Sequence, residues 1–238
     1  MHELSSANLI WLIPGLPLVG FFINAFFGKK LGKPGSGALA TLAVFLSFAV
    51  SVMVLMSLQG AGGERRALAS LLPGGGIVPW IHIGAFKVDF TALVDPLSML
   101  MCLVVTGIGG LIHLYSMGYM AEDKDYPRFF TYLNLFIFFM LMLVLGGNLL
   151  LMFVGWEGVG LCSYLLISFW FTETENSKAG NKAFIVNRIG DVGFALGMMA
   201  IFAVFKTLTY YSENGTGFLD LARKGIGADG LPLDLAIV

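Results

Sequence analysis

The chain has 238 residues, of which 57% are hydrophobic and only 12% charged, and its mean hydropathy is +0.84. A soluble domain carries about 25% charged residues, so this composition excludes a soluble enzyme. The 14 basic and 15 acidic side chains leave a net charge of −1, which gives no concentrated basic surface for nucleic acid. The two cysteines, Cys102 and Cys162, lie far apart in apolar runs, which excludes a disulfide framework and a cysteine metal site. We therefore interpret the sequence as a polytopic membrane protein.

Six apolar stretches are long enough to cross about 30 Å of hydrocarbon as helices. Their predicted limits are Asn8–Phe27, Gly37–Leu58, Leu97–Gly118, Phe129–Gly147, Leu149–Phe171 and Phe184–Phe205. Only three charged side chains fall inside them, namely Glu157, Arg188 and Asp191. This segregation favours helices over a β-barrel, whose strands would alternate in runs of roughly ten residues. The predicted fold class is all-α, a polytopic transmembrane helical bundle.

The connections between the spans predict the orientation of the chain. The short connections after spans one, three and five carry Lys and Arg more densely than the connections of the opposite side. The positive-inside rule gives most weight to short, dense loops, so the N-terminus is predicted to face outward. In the long outer connection Gln59–Pro96, the alternating stretch Trp80–Phe90 predicts a short amphipathic β-hairpin outside the bilayer. Asp95 followed by Pro96 predicts the capped start of span three.

Three regions follow from this pattern. Residues 1–128 hold spans one to three with the long outer loop, and residues 129–208 hold spans four to six. Residues 209–238 form an outer loop that ends in the apolar run Leu231–Val238, which is typical of the start of a further span.

The charged residues inside the spans are the candidate functional site. A charge at mid-bilayer costs at least about 2.5 kcal/mol on insertion scales, so it persists only with a partner, a water path or a function. Glu157 lies near the centre of span five, where a carboxyl group can serve as a proton relay. The alternative is a protonated or ion-paired glutamate that only holds helices together.

Arg188 and Asp191 lie three residues apart in span six, so they share a helix face and are able to pair. This pair either fixes helix packing or tunes a proton path. Glu157 and Asp191 are expected on opposite sides of the bilayer midplane. We therefore expect a bridging water or a third group between them, rather than a direct bond.

Other polar residues are secondary candidates. Asn187 lies four residues before Asp191 and extends the same polar stripe, and Lys182 lies in the connection before span six. His113, near the end of span three, either shuttles protons or serves packing alone. Asn134 in span four is predicted to form an interhelical hydrogen bond.

The glycine-rich string Gly155–Gly160 lies in the middle of a span without a preceding strand, so we do not interpret it as a phosphate-binding loop. Its glycines, like the pair Gly193 and Gly197, are predicted to permit close approach of helices.

The sequence around Glu157 resembles a known family. Span five reads NLLLMFVGWEGVGLCSYLLISFW at Asn148–Trp170, and NKAFIVNRIGDVGFALG follows at Asn181–Gly197. With spans three and four, these segments resemble the antiporter-like membrane subunits of respiratory complex I, the subunit L or chain 5 type of NADH:quinone oxidoreductase. The resemblance runs from about Leu9 to Phe205. It extends less specifically to the A subunit of Mrp-type sodium/proton antiporters and to membrane subunits of energy-converting hydrogenases.

The resemblance implies a proton-translocating subunit in the bacterial inner (plasma) membrane, built on inverted five-helix repeats. It implies that Glu157 is the essential carboxylate, working with a lysine of the seventh span, and that Arg188 and Asp191 modulate the path. The implied partners are the lipid bilayer and the other membrane and peripheral subunits of complex I. Those subunits would hold NADH, FMN, iron–sulfur clusters and quinone, and this chain would hold no cofactor.

Members of this family are more than twice as long as this sequence. We therefore expect an N-terminal fragment or one part of a split chain, with an incomplete first antiporter-like repeat at residues 129–208. Three other interpretations stay open: a subunit of an Mrp-type cation/proton antiporter, a subunit of an energy-converting hydrogenase, and a non-pumping truncated assembly module.

Overall fold

The computed structural model describes residues 9–60, 66–73, 77–84, 86–212 and 214–230. Within these residues, five helices are long and apolar enough to cross a membrane. They are α1 (Leu12–Gly60), α2 (Pro96–Tyr119), α3 (Tyr126–Leu145), α4 (Leu149–Ile167) and α5 (Thr174–Phe205), and the short helix α6 (Phe218–Arg223) follows them. The chain is therefore a multi-pass helical membrane protein.

Helix α1 is a hairpin of two arms, which correspond to the first two predicted spans from Leu12 onward. The backbone leaves the helical conformation at Gly32, where φ is 69° and ψ is 176°. A positive φ of this kind favours glycine, which has no Cβ to clash. Ser36 donates to Oδ1 of Asn24 over 2.8 Å, and Ser47 donates to the carbonyl of Ile13 over 2.6 Å. Residues before and after Gly32 thus pair in reverse order, so the two arms run antiparallel.

A three-stranded antiparallel sheet connects α1 to α2. Its strands are β1 (Ala67–Ser70), β2 (Val78–Ile83) and β3 (Phe86–Val94), in the order β1-β3-β2. The β2–β3 pair confirms the predicted hairpin, whose turn contains Gly84 with a positive φ of 58°. Strand β1 was not predicted, because its four residues carry neither clear alternation nor a turn signal.

The start of α2 follows the prediction. The Asp95 carboxylate accepts from the backbone N–H of Ser98 over 2.8 Å, and the Ser98 hydroxyl accepts from the backbone N–H of Asp95 over 2.9 Å. This reciprocal capping box satisfies two donors that the first helical turn would otherwise leave unpaired.

The connections gather at two ends of the bundle. At one end the sheet meets the α3–α4 connection, where the N–H of Gly147 donates to the carbonyl of Thr91 over 2.8 Å. The segment after α5 joins this end, since the N–H of Leu149 donates to the carbonyl of Leu208 over 3.0 Å. At the opposite end, the Gly32 turn meets the α2–α3 connection through the ammonium group of Lys33, which donates to the carbonyl of Ala121 over 2.8 Å. Successive connections therefore alternate between the two ends, as expected for consecutive membrane crossings.

The main core lies between α1, α2 and α3, and it includes Val44, Met99 and Leu141. Helix α5 is far more exposed: Gly180 and Asp191 are the buried residues along it. Helix α5 begins at Thr174, ten residues before the predicted span, because its first turns are polar and the prediction followed apolar runs alone. The apolar run Leu231–Val238 lies outside the described residues. The predicted division of the chain into three regions, with boundaries after residues 128 and 208, stays a prediction.

Candidate functional site

Helix α4 directs Trp156 and Glu157 to their partners on α5, while neighbouring glycines pack against α3. The helix starts at Asn148, whose side chain accepts from the N–H of Leu151 over 2.9 Å. Two glycines bracket the pair: a Cβ on Gly158 would overlap the ring of Phe139, and a Cβ on Gly155 would overlap the backbone of Leu143. The prediction that the glycines of this string permit close helix approach is confirmed for Gly155 and Gly158 and is wrong for Gly160, where a Cβ would meet no described atom within 4 Å. The packing of Gly155 and Gly158 fixes how α4 is rotated about its axis.

The glycines of α5 behave differently. A Cβ built on Gly193 or Gly197 would meet no atom within 4 Å among the described residues. The prediction that this pair permits close approach is therefore wrong for the part of the chain that the structure describes. These positions lie on an open face of α5, where no described helix packs.

Arg188 is the centre of the charged site. Its guanidinium forms a hydrogen-bonded ion pair with the Glu157 carboxylate across the α4–α5 contact. The same nitrogen, Nη1, lies 3.5 Å from Oδ2 of Asp191, one turn further along α5. The local Arg188–Asp191 pair is thus present, and Arg188 itself is the third group that joins Glu157 to Asp191.

Trp156 completes the site and was missed in the sequence. Its indole N–H donates to Oδ1 of Asp191 over 2.7 Å. Its ring is stacked on Phe194, with centroids 6.2 Å apart and an interplanar angle of 21°. The available signal was an indole in the middle of a span, because a tryptophan N–H removed from water normally needs an acceptor.

The three charged side chains differ in exposure. The Asp191 side chain is only 8% exposed, whereas those of Glu157 and Arg188 are 24% and 44% exposed. A cavity of about 480 Å³ borders the Glu157–Arg188 pair, and its other walls include Phe139, Phe153 and Leu161. Glu157 therefore faces an apolar space.

The charges of this cluster do not balance. One guanidinium faces two carboxylates, so the fully ionised cluster carries one net negative charge in apolar surroundings, which is unfavourable. Binding of a single proton makes the cluster neutral. Asp191 accepts a hydrogen bond from Trp156 in addition to its contact with Arg188.

The secondary candidates are not brought to this cluster. His113 is 1% exposed on α2, where its ring nitrogens lie 2.7 Å from the carbonyl of Gly109 and 3.0 Å from Oδ1 of Asn134. The predicted interhelical hydrogen bond of Asn134 is thus confirmed, with His113 as its partner. Asn187 and Lys182 are exposed on α5, and neither forms a side-chain hydrogen bond or ion pair with another described residue. Lys182 lies inside α5, so its placement in a connecting loop was wrong.

The described residues contain no group of three or more His, Cys, Asp or Glu side chains arranged to hold a metal ion. Both cysteines are buried free thiols.

Two family descriptions match the chain. Residues 80–130 match the N-terminal region of chain 5 of NADH-ubiquinone oxidoreductase (complex I). Residues 146–217, which contain the charged cluster, match the transmembrane family described as NADH:quinone oxidoreductase/Mrp antiporter.

Similar proteins carry related names. NADH-quinone oxidoreductase subunit L of Mycobacterium tuberculosis is 46% identical over 200 residues, which are 84% of this chain and 31% of that protein. NADH-ubiquinone oxidoreductase chain 5 of Arabidopsis thaliana is 45% identical over 199 residues, 84% of this chain and 29% of its own length. The chain thus spans about three tenths of the length of these relatives.

A solved structure supports the fold. The structure of the Mrp complex from Dietzia sp. DQ12-45-1b matches with a TM-score of 0.68 and 18% sequence identity, over 84% of this chain and 20% of that chain. At that identity the likeness concerns the fold alone. It confirms an antiporter-like helical arrangement.

Proposed function

The aligned part of this chain belongs to the subunit L/chain 5 family of NADH:quinone oxidoreductase, and from this we propose that the chain acts in proton translocation by complex I. The observation that carries the proposal is the Glu157–Arg188 ion pair inside the membrane-spanning helices. An ionisable pair within the bilayer is costly and marks an ion or proton pathway more often than a packing contact.

The proposed step is an exchange of partners by Arg188. While Arg188 pairs with Glu157, the carboxylate stays ionised because a positive charge neutralises it. When the guanidinium moves fully to Asp191, only 3.5 Å from Nη1 in the present arrangement, Glu157 is left beside an apolar cavity and takes up a proton. The return of Arg188 favours release of that proton. A small movement of the Arg188 side chain thereby couples proton uptake by Glu157 to the position of the guanidinium charge.

Asp191 and Trp156 act as positioning residues in this scheme. The bond from the Trp156 indole orients the Asp191 carboxylate toward α4. Asp191 thus remains an acceptor for Arg188 in both arrangements.

We further propose that redox chemistry takes place in partner subunits, which would bind NADH, FMN, iron–sulfur clusters and quinone, while this chain binds none of them. Its own contribution would be transport rather than catalysis of a redox step. Its location would be the bacterial plasma membrane, with the N-terminus outside, on the basis of the Lys and Arg density at the Gly32 end.

The test is NADH-driven proton uptake by membrane vesicles that carry Glu157→Gln in the full-length protein. We expect proton pumping per NADH oxidised to fall, while the amount of assembled complex stays near normal. Glu175→Gln is the matched control, because Glu175 lies on α5 in an exposed ion pair with Lys178. Unchanged pumping in Glu157→Gln would contradict the proposal.

A second candidate function is cation/proton exchange without a redox partner. The family matched by residues 146–217 is described with Mrp antiporters as well. Sodium-dependent proton movement in vesicles that lack NADH would favour this function, and strict dependence on NADH oxidation would exclude it.

A further inference from the structure

A second cavity lies at the Gly32 end of the bundle, apart from the Glu157 cluster. Its volume is about 550 Å³, and its walls come from the turn of α1 and from the start of α3. Four of the side chains that line it are cationic: Lys29, Lys33, Lys124 and Arg128. Positive charge is thus concentrated at one cavity of a chain whose net charge is −1.

The nearby acidic groups do not balance these cations. Asp125 also lines the cavity, and its carboxylate lies 3.1 Å from Arg128. Asp123 is not part of the lining: its carboxylate accepts from the indole of Trp170 over 2.8 Å. That hydrogen bond, and to a smaller extent the charges of Arg128 and Lys124, hold the pKa of Asp123 below its usual value. Four cations and one carboxylate, that of Asp125, therefore line the cavity.

Several donors at the cavity have no acceptor in the described residues. Lys29 and Lys124 form no salt bridge or hydrogen bond there, and Nε of Arg128 is buried without a hydrogen-bond partner. A guanidinium N–H without an acceptor is costly, and an anion in the cavity would supply one. The N-terminus of α3 lies at the same wall, where the helix dipole adds partial positive charge.

An apolar strip leads to this cavity along the first arm of α1. Phe22 and Phe26 are 48% and 72% exposed, and their rings stack with centroids 6.3 Å apart. Phe22, Phe26 and Lys29 follow one another at helical spacings of four and three residues, so they lie along one face of the arm. Lys33 comes after the break at Gly32 and lines the cavity from the turn. The strip lies on a membrane-spanning helix, and the lysines lie at its end, where headgroups are expected.

We propose that this cavity binds the phosphate headgroup of an acidic phospholipid, whose acyl chains lie along Phe22 and Phe26. The cationic cavity matches the phosphate, and the phenylalanine strip matches the acyl chains. A free phosphate ion would use only the first of these features. Basic pockets between transmembrane helices recognise lipid headgroups in this way.

The test measures lipid binding to the full-length protein, purified in detergent with the subunits that copurify and stripped of bound lipid. Native mass spectrometry would follow the binding of phosphatidylglycerol, phosphatidylcholine and inorganic phosphate in parallel. We expect phosphatidylglycerol to bind most tightly. The Lys29→Gln/Lys33→Gln double variant should weaken its binding by about 30-fold, about fivefold for each lysine.

Lys30→Gln/Lys178→Gln is the matched control. Both residues are exposed on the same end of the bundle and neither lines the cavity, so phosphatidylglycerol binding should be unchanged. Equal weakening by the two double variants would overturn the proposal in favour of general surface charge. Inorganic phosphate binding as tightly as phosphatidylglycerol, equal binding of phosphatidylcholine, or no lipid binding at all would overturn it as well.

Discussion

Replacing Trp156 with phenylalanine removes one N–H group from the charged site and leaves an aromatic ring against Phe194. The lost bond is the 2.7 Å donation to Asp191, whose side chain is only 8% exposed. A hydrogen bond to a charged group contributes about 1.5–3 kcal/mol. We therefore expect the free energy of unfolding to fall by about 2 kcal/mol, a factor of roughly 30 in the equilibrium constant.

The assay is reversible unfolding by SDS titration in mixed micelles, and Trp170→Phe is the control. Trp170 and Trp156 are both 46% exposed, and the Trp170 indole donates to Asp123 over 2.8 Å at the surface. Because that bond is exposed to solvent, its loss should cost less than about 1 kcal/mol. In an Asp191→Asn background, the cost of Trp156→Phe should shrink by about 1 kcal/mol. Equal costs at the two tryptophans, or in the two backgrounds, would refute the reasoning.

Two further predictions concern packing and pH. Gly158→Ala places a methyl group against the ring of Phe139 and should destabilise the protein by about 1–3 kcal/mol in thermal unfolding. Gly160→Ala, where a Cβ meets nothing within 4 Å, should leave stability unchanged or slightly higher. The Trp170 hydrogen bond is the main cause that holds the pKa of Asp123 below its ordinary value of 3.8. The ionised Asp123 carboxylate therefore stabilises the folded protein above pH 3.8, and this stabilisation is lost as the pH falls through the pKa of the folded state. Between about pH 5 and pH 3, Trp170→Phe should therefore lose less stability than the parent protein, and identical pH slopes would contradict the assignment.

Local signals in the sequence were sufficient for much of the fold. Apolar runs of membrane length located the spans, and Asp95 followed by Pro96 located the start of α2. The alternation of Trp80–Phe90 predicted the β2–β3 hairpin. The spacing of Arg188 and Asp191 predicted their pairing. Each of these signals depends on residues close together in the chain, which is why a single sequence contains them.

The contacts between helices were harder to predict. The Arg188–Glu157 and Trp156–Asp191 bonds depend on how α4 and α5 are rotated and shifted against each other, which neither span defines alone. The rotation of α4 follows from α3 packing over Gly155 and Gly158. The glycines Gly193 and Gly197 on α5, by contrast, face open space. A glycine pair therefore indicates that close approach is permitted, but not that a neighbouring helix uses it.

The most direct test of the account is whether Glu157 changes its protonation state during turnover. Infrared difference spectroscopy of the energised protein would detect the carbonyl stretch of a newly protonated carboxyl group. We predict that this band appears on NADH oxidation, disappears in Glu157→Gln, and persists in Glu175→Gln. A band that survives Glu157→Gln unchanged would assign the proton to another group, and the proposed exchange of partners by Arg188 would then be wrong.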